Sequence, residues 1–77
     1  MTEGLKVIDA RNSFCPGPLM ELIKEIRQEQ VGAVMEVWSS DAGSAKDIPE
    51  WIRRAGHELL ASVAEDGIFK IRVKKLR

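Results

Sequence analysis

Two spacings of apolar residues alternate along the chain. Leu5-Lys6-Val7-Ile8 reads as a first strand over residues 5–9, and the residues from Asp9 to Ser13 favour turns. From roughly residue 16 to residue 28 the period lengthens. Leu19, Leu22, Ile23 and Ile26 fall at i, i+3, i+4 and i+7, which is one face of a helix, and Glu21, Lys24, Glu25 and Arg27 take the other side. Gly32 closes that segment. Residues 33–39 return to period two, with Ala33, Met35, Val37 and Ser39 on one side and Val34, Glu36 and Trp38 on the other. Residues 40–44 are a polar connection. A second helix ends at about Ala55, its apolar face made by Ile48, Trp51, Ile52 and Ala55. Asp47 and Glu50 resemble a capping box, and Pro49 suits a first turn, so the regular helix is expected to begin near Ile48. Gly56 ends it, and His57 sits where a histidine serves helix-end carbonyls. Residues 58–65 form a third strand with Leu59, Ala61 and Val63 on one side. Asp66-Gly67 marks a hairpin. Residues 68–76 form a fourth strand, whose alternation reverses at Lys75-Leu76 as at a strand end or bulge.

The order βαβαββ predicts an α/β fold: a two-layer sandwich of a mixed four-stranded sheet with two helices on one face, both crossovers right-handed. The other face is left open. The alternation assigns to it Lys6, Ile8, Val34, Glu36, Trp38, Leu60, Ser62, Lys70, Arg72 and Lys74. The 77 residues make one domain, 1–77, with a modest core and no repeat or linker. Twelve basic and twelve acidic residues cancel, so no global field points to nucleic acid or membrane. One cysteine cannot form an internal disulfide, which fits a reducing compartment. With no leader pattern and no long apolar run, the sequence reads as soluble and cytoplasmic.

The single cysteine lies in Phe14-Cys15-Pro16-Gly17-Pro18, between the first strand and the first helix. Unpaired N–H groups and the positive end of the helix dipole favour a thiolate there, the nucleophilic form. Pro16 and Pro18 suit a first helical turn and stiffen the loop around the sulfur. A lone cysteine also serves as a small buried hydrophobe, and the pattern by itself leaves both readings open.

Asp9-x-Arg11…Cys15-Pro16-x-Pro18-Leu19, with Gly32 ahead of the second strand and Asp41…Asp47-Ile48-Pro49…Gly56-His57 later, resembles the TusA/SirA-like sulfur-carrier family over essentially the whole chain. The Cys-Pro-x-Pro element at a strand-to-helix junction is its specific part. The resemblance implies a carrier that holds sulfur as a persulfide on Cys15, with Pro16 and Pro18 shaping the loop. The implied partners are a cysteine desulfurase or rhodanese-type donor and a downstream acceptor protein. Family members serve transfer RNA thiolation, molybdenum cofactor synthesis or sulfur oxidation. Sulfur exchange of this kind needs no metal or organic cofactor. Where the family has Gly-Leu this chain has Asn12-Ser13. Asn12 is expected to keep the turn through left-handed backbone angles, and Phe14 to replace the lost apolar anchor.

Partner contacts are expected at Arg11 and Phe14, beside the cysteine, and at Lys74 and Lys75 in the basic tail. The alternative for Arg11 is an ion pair with Asp9. Two other function classes draw on parts of the sequence. A nucleic-acid-binding module would use Lys70, Arg72, Lys74, Lys75 and Arg77 on phosphates, but zero net charge disfavours direct nucleic-acid binding. A thiol–disulfide oxidoreductase would want a Cys-x-x-Cys pair, which is absent from the sequence.

Overall fold

The computed structural model describes residues 6–13 and 17–77. Leu5 and the segment Phe14-Cys15-Pro16 lie outside them. The elements are β1 (Lys6–Asp9), α1 (Gly17–Gln28), β2 (Val34–Ser39), α2 (Ala42–Ala55), β3 (Glu58–Glu65) and β4 (Ile68–Lys74), the βαβαββ order expected. They form one sheet in the order β1-β2-β4-β3. β1 and β2 are parallel, and β4 is antiparallel to both of its neighbours. β1, β2 and β3 therefore run one way. The α2 crossover leaves a gap one strand wide, and the chain returns to fill it with β4. The hairpin turn has Asp66 at φ 52° and Gly67 at φ 78°, the two positive values a type I′ turn requires.

Both helices cover one face. Ile8, Leu22, Ile26, Met35, Val37, Ile48, Ile52, Ile71 and Val73 form the core, with Leu19, Ala33, Trp51 and Leu59 packed against it. Leu22 and Ile26 come from α1, Ile48 and Ile52 from α2, and the alternate residues of β2 and β4 meet them from the sheet. Burying one such side chain contributes about 1.5–3 kcal/mol.

Three expectations are corrected. In β1 the parity is reversed: Lys6 pairs in register with Met35 and Ile8 with Val37, so both face the helices. Ile8 joins the core, and Lys6 reaches Glu25 and Glu29 at the end of α1, at 2.6 and 3.1 Å. A strand with adjacent apolar residues, Val7 and Ile8, carries no alternation that could choose between faces. In β3 a bulge between Leu59 and Ala61 reverses the alternation. Leu59 stays on the core side opposite Val73, whereas Ala61 and Val63 lie opposite Arg72 and Lys70 on the open face, and Ser62 opposite Ile71 on the covered one. The break near Lys75 is a strand end, since β4 stops at Lys74.

The third correction concerns α2, which begins at Ala42 rather than near Ile48, with Pro49 inside it. Asp41 is the N-cap. Its carboxylate accepts from the Ser44 N–H and the Ser44 hydroxyl, both at 3.0 Å. Pro49 forgoes one helical hydrogen bond, and the complete burial of Ile48 and Ile52 offsets it. At the other end Gly56 adopts φ 85°, and the N–H groups of Gly56 and His57 donate to the carbonyls of Arg53 and Ile52.

Candidate functional site

The carboxyl ends of β1 and β2 and the amino ends of both helices gather at one end of the sheet. Connections at that edge are where open α/β sheets place their ligands. The β1–α1 connection carries Cys15. Its two described flanks are built as follows.

On the β1 side, pairing continues one residue past the strand, where the Ala10 N–H donates to the Trp38 carbonyl at 2.9 Å. Ala10 is buried, which pins the chain before it turns. The Ser13 N–H then donates to the Ala10 carbonyl at 3.1 Å and closes a four-residue turn. The Asp9 carboxylate accepts from the Arg11 N–H at 3.2 Å, from Arg11 Nε at 2.8 Å and from Arg11 Nη2 at 2.7 Å. That fork is the strong geometry of an arginine–carboxylate pair. It lowers the Asp9 carboxyl to about 2 and raises the already basic Arg11. The Ser40 hydroxyl donates to the Arg11 carbonyl at 2.7 Å, tying the turn to the end of β2. Asn12 does not take left-handed angles, because Asp66 is the one described non-glycine residue with positive φ. The turn is closed by the Ser13–Ala10 bond and the Asp9 carboxylate instead.

On the α1 side the helix opens with Gly17 and Pro18. Pro18 is fully buried, and Leu19 packs against the core. A Cβ placed on Gly17 would stand 2.9 Å from the Ser13 Cβ, so the two described neighbours of Phe14-Cys15-Pro16 lie side by side. Glycine is required at residue 17 by that close approach. The first turn of α1 has no acidic side chain of its own to offset the positive helix end.

A polar network on the open face backs this connection. The Arg11 guanidinium lies 5.2 Å from the centre of the Trp38 ring, and Lys70 Nζ lies 5.2 Å from the same centre. Each contact of that kind is worth about 0.5–1 kcal/mol at an exposed site. Trp38 Nε1 donates to Glu36 at 2.7 Å, and Arg72 donates to the other Glu36 oxygen at 2.8 and 3.1 Å. Burial alone would raise the Glu36 carboxyl, but the bonds from Trp38 and Arg72 outweigh it and the net shift is downward. Lys70 also pairs with Glu65 at 3.2 Å. Two of the open-face cations of β4 therefore have carboxylate partners.

Of the site residues expected from the sequence, Arg11 and Pro18 lie on the flanks of the β1–α1 connection. Cys15, Pro16 and Phe14 fall outside the described residues. Lys74 and Lys75 lie at the opposite end of the sheet, across the length of β2, about 17–20 Å for a six-residue strand. Lys74 pairs in register with Val34 and Glu58. Lys75 Nζ donates to the Glu29 carbonyl at 2.6 Å just past α1, where a cation complements the negative helix end. They are not brought together with Arg11. His57 is at that far end too. Its Nδ1 accepts from the Leu76 N–H at 3.2 Å, its ring lies 5.7 Å from that of Trp51, and burial, then Lys75 and Arg77, lower its pKa. Sequence reasoning missed the Glu36–Trp38–Arg11 arrangement. Its signal was the spacing of two between Glu36 and Trp38, which puts both on one face.

Residues 6–75 match the family described as Sulfurtransferase TusA. A putative sulfur carrier protein of Archaeoglobus fulgidus is 59% identical over 71 residues, covering 92% of this chain and 97% of its own. The sulfur carrier protein TusA of Pseudomonas savastanoi pv. phaseolicola is 36% identical over 69 residues, covering 90% of this chain and 82% of its own. In fold, the chain is similar to the crystal structure of a SirA-like protein from Desulfitobacterium hafniense, with a TM-score of 0.82 at 18% identity over 96% of this chain and 100% of that one. No helix among the described residues is long and apolar enough to cross a membrane. The chain belongs to the TusA family of sulfur carriers.

Proposed function

We propose that the chain accepts sulfur as a persulfide on Cys15 and relays it to an acceptor protein. The observation that carries this reading is the geometry of the residues that flank the single cysteine in the sequence: Ser13 and Gly17 stand side by side at the carboxyl edge of the sheet, ahead of a helix whose first turn has no acidic side chain. The Cys15 thiolate attacks the terminal sulfur of a donor persulfide. The new S–S bond forms as the donor's S–S bond breaks, and the donor cysteine leaves as a thiolate. An acceptor thiolate then attacks the terminal sulfur on Cys15 and expels the Cys15 thiolate. The sulfane sulfur moves without net oxidation of the pair. A cysteine desulfurase or rhodanese is the class of donor that presents such a persulfide. Phe14, beside Cys15 in the chain, is the contact we assign to docking; Arg11 takes the alternative expected for it, the ion pair with Asp9, and Lys74 and Lys75 are at the other end and are left out of docking. The pathway served, whether transfer RNA thiolation, cofactor synthesis or sulfur metabolism, follows from which acceptor docks.

The nucleic-acid reading is weaker, because Glu65 and Glu36 already engage Lys70 and Arg72, the central cations of the basic strand. Intact mass after incubation with a cysteine desulfurase and free cysteine separates the two. The carrier gains one sulfur, about 32 Da by the chemistry of persulfidation, and Cys15→Ala gains none. Salt-sensitive retention of RNA with no sulfur uptake would replace the carrier with a binding module.

A further inference from the structure

We propose that Trp38 is a positioning residue for sulfur transfer, acting through Arg11 to fix the segment that leads into Cys15. The inference rests on the carrier reading and adds a residue remote from the thiol in sequence. Arg11 is gripped from two sides. Asp9 holds the edge of the guanidinium through its fork at 2.7 and 2.8 Å, and the Trp38 ring lies against it at 5.2 Å. A fork on an exposed arginine fixes distance but leaves the pair free to swing together, because both side chains are about half exposed. The indole face supplies the second constraint.

Trp38 is itself held. Its Nε1 donates to Glu36 at 2.7 Å, Arg72 locks that carboxylate from the far side at 2.8 Å, and Lys70 lies 5.2 Å from the ring centre. Its carbonyl accepts from Ala10 at 2.9 Å, so side chain and backbone grip the same turn at neighbouring points. Glu36 is nearly buried and is the anchor of the set. The chain from Ala10 to Ser13 thus rests on the sheet through Trp38, and Ser13 abuts Gly17. A tilt of Arg11 reaches the two neighbours of residues 14–16 directly. Transfer between docked proteins requires the attacking sulfur in line with the donor's S–S bond, where displacements near an ångström are costly. Transfer from a small mobile donor does not, since that donor finds its own angle of approach.

The test compares two donors on Trp38→Leu, Trp38→Phe, Arg11→Ala and the double variant Trp38→Leu/Arg11→Ala. One donor is a purified cysteine desulfurase with cysteine, and the other is inorganic polysulfide. Trp38→Leu is expected to load from the desulfurase about tenfold more slowly, mainly in the maximal rate, and to load from polysulfide at the wild-type rate. Trp38→Phe keeps an aromatic face for Arg11 and restores most of the loss. The double variant loses no more than the worse single, as residues acting as one unit do. The inference is overturned if Trp38→Leu keeps the wild-type rate with the desulfurase, if both donors slow equally, or if the two losses add. Wild-type protein that loads from neither donor would instead sink the carrier reading itself.

Discussion

The two faces of the sheet are built on different principles. The covered face holds the fold together with apolar residues: among the described residues, seven from β2, β4 and the helices are 0% exposed, with Ile26 and Ile8 at 2% and 7%. The open face is a lattice of paired charges around Trp38, with Asp9–Arg11, Glu36–Arg72 and Glu65–Lys70 as its ion pairs. Exposed pairs contribute little to global stability, typically 0–1 kcal/mol each by general experience. They do fix where side chains point. Stability and the aim of the Cys15 connection are therefore assigned to opposite faces, and substitutions should separate them.

The largest effect belongs to the covered face. Leu22→Ala empties a fully buried site and should cost about 2–5 kcal/mol, read as a lower midpoint in urea. Sulfur uptake per folded molecule should stay near wild type, and a variant that keeps its midpoint would remove Leu22 from the core account. Next comes the junction of the faces. Gly17→Ala drives a Cβ to 2.9 Å from Ser13, so one flank must move. Slower loading from a protein donor is expected, with partial recovery in Ser13→Gly/Gly17→Ala; an equal rate in all three proteins would refute the pinch. On the open face, Glu36→Gln keeps an acceptor for Trp38 and removes the charge under Arg72. A midpoint shift of about 1 kcal/mol or less is expected. A collapse of the fold would show that this face carries more than position.

The smallest effects are those of pH. Asp9 has its carboxyl lowered to about 2 from 3.8, so its contribution is present above the unfolded value and is lost as pH falls from 3.8 toward 2. Below that window the Arg11 turn should loosen before the core does, seen as faster exchange of the Ser13 amide. His57 also titrates low. The unfolded chain binds its proton first, so this contribution is present above 6.5 and is lost as pH falls below that value. A stability profile across that range in which His57→Gln behaves as wild type would remove the Nδ1 bond to Leu76 from the account.

The element order, the hairpin and the parity of β2 and β4 were legible because long alternating runs such as Phe69-Lys70-Ile71-Arg72-Val73 admit one register. β1 was misread because Val7 and Ile8 are adjacent, so no alternation distinguishes its faces. β3 was misread because one unpaired residue reverses every side chain beyond it, and nothing in Leu59-Leu60-Ala61 marks the bulge. The early start of α2 was hidden by Pro49, which suits a first turn yet is tolerated here within a helix whose core face is fully buried. At the site, the cysteine and its prolines were plain in the sequence. The support under Arg11 was not, because it joins β1, β2 and β4 across the sheet, and a local pattern does not report contacts between strands.

The claim that sulfur rides on Cys15 is tested most directly by locating it. After loading by a cysteine desulfurase and mild alkylation, trypsin should release residues 12–24 as one peptide, bounded by Arg11 and Lys24. Tandem mass spectrometry should place one extra sulfur, about 32 Da, on Cys15 in that peptide, and an added acceptor thiol should remove it. An unmodified peptide 12–24 from protein whose intact mass has risen, or extra sulfur that the acceptor thiol leaves in place, would contradict the account.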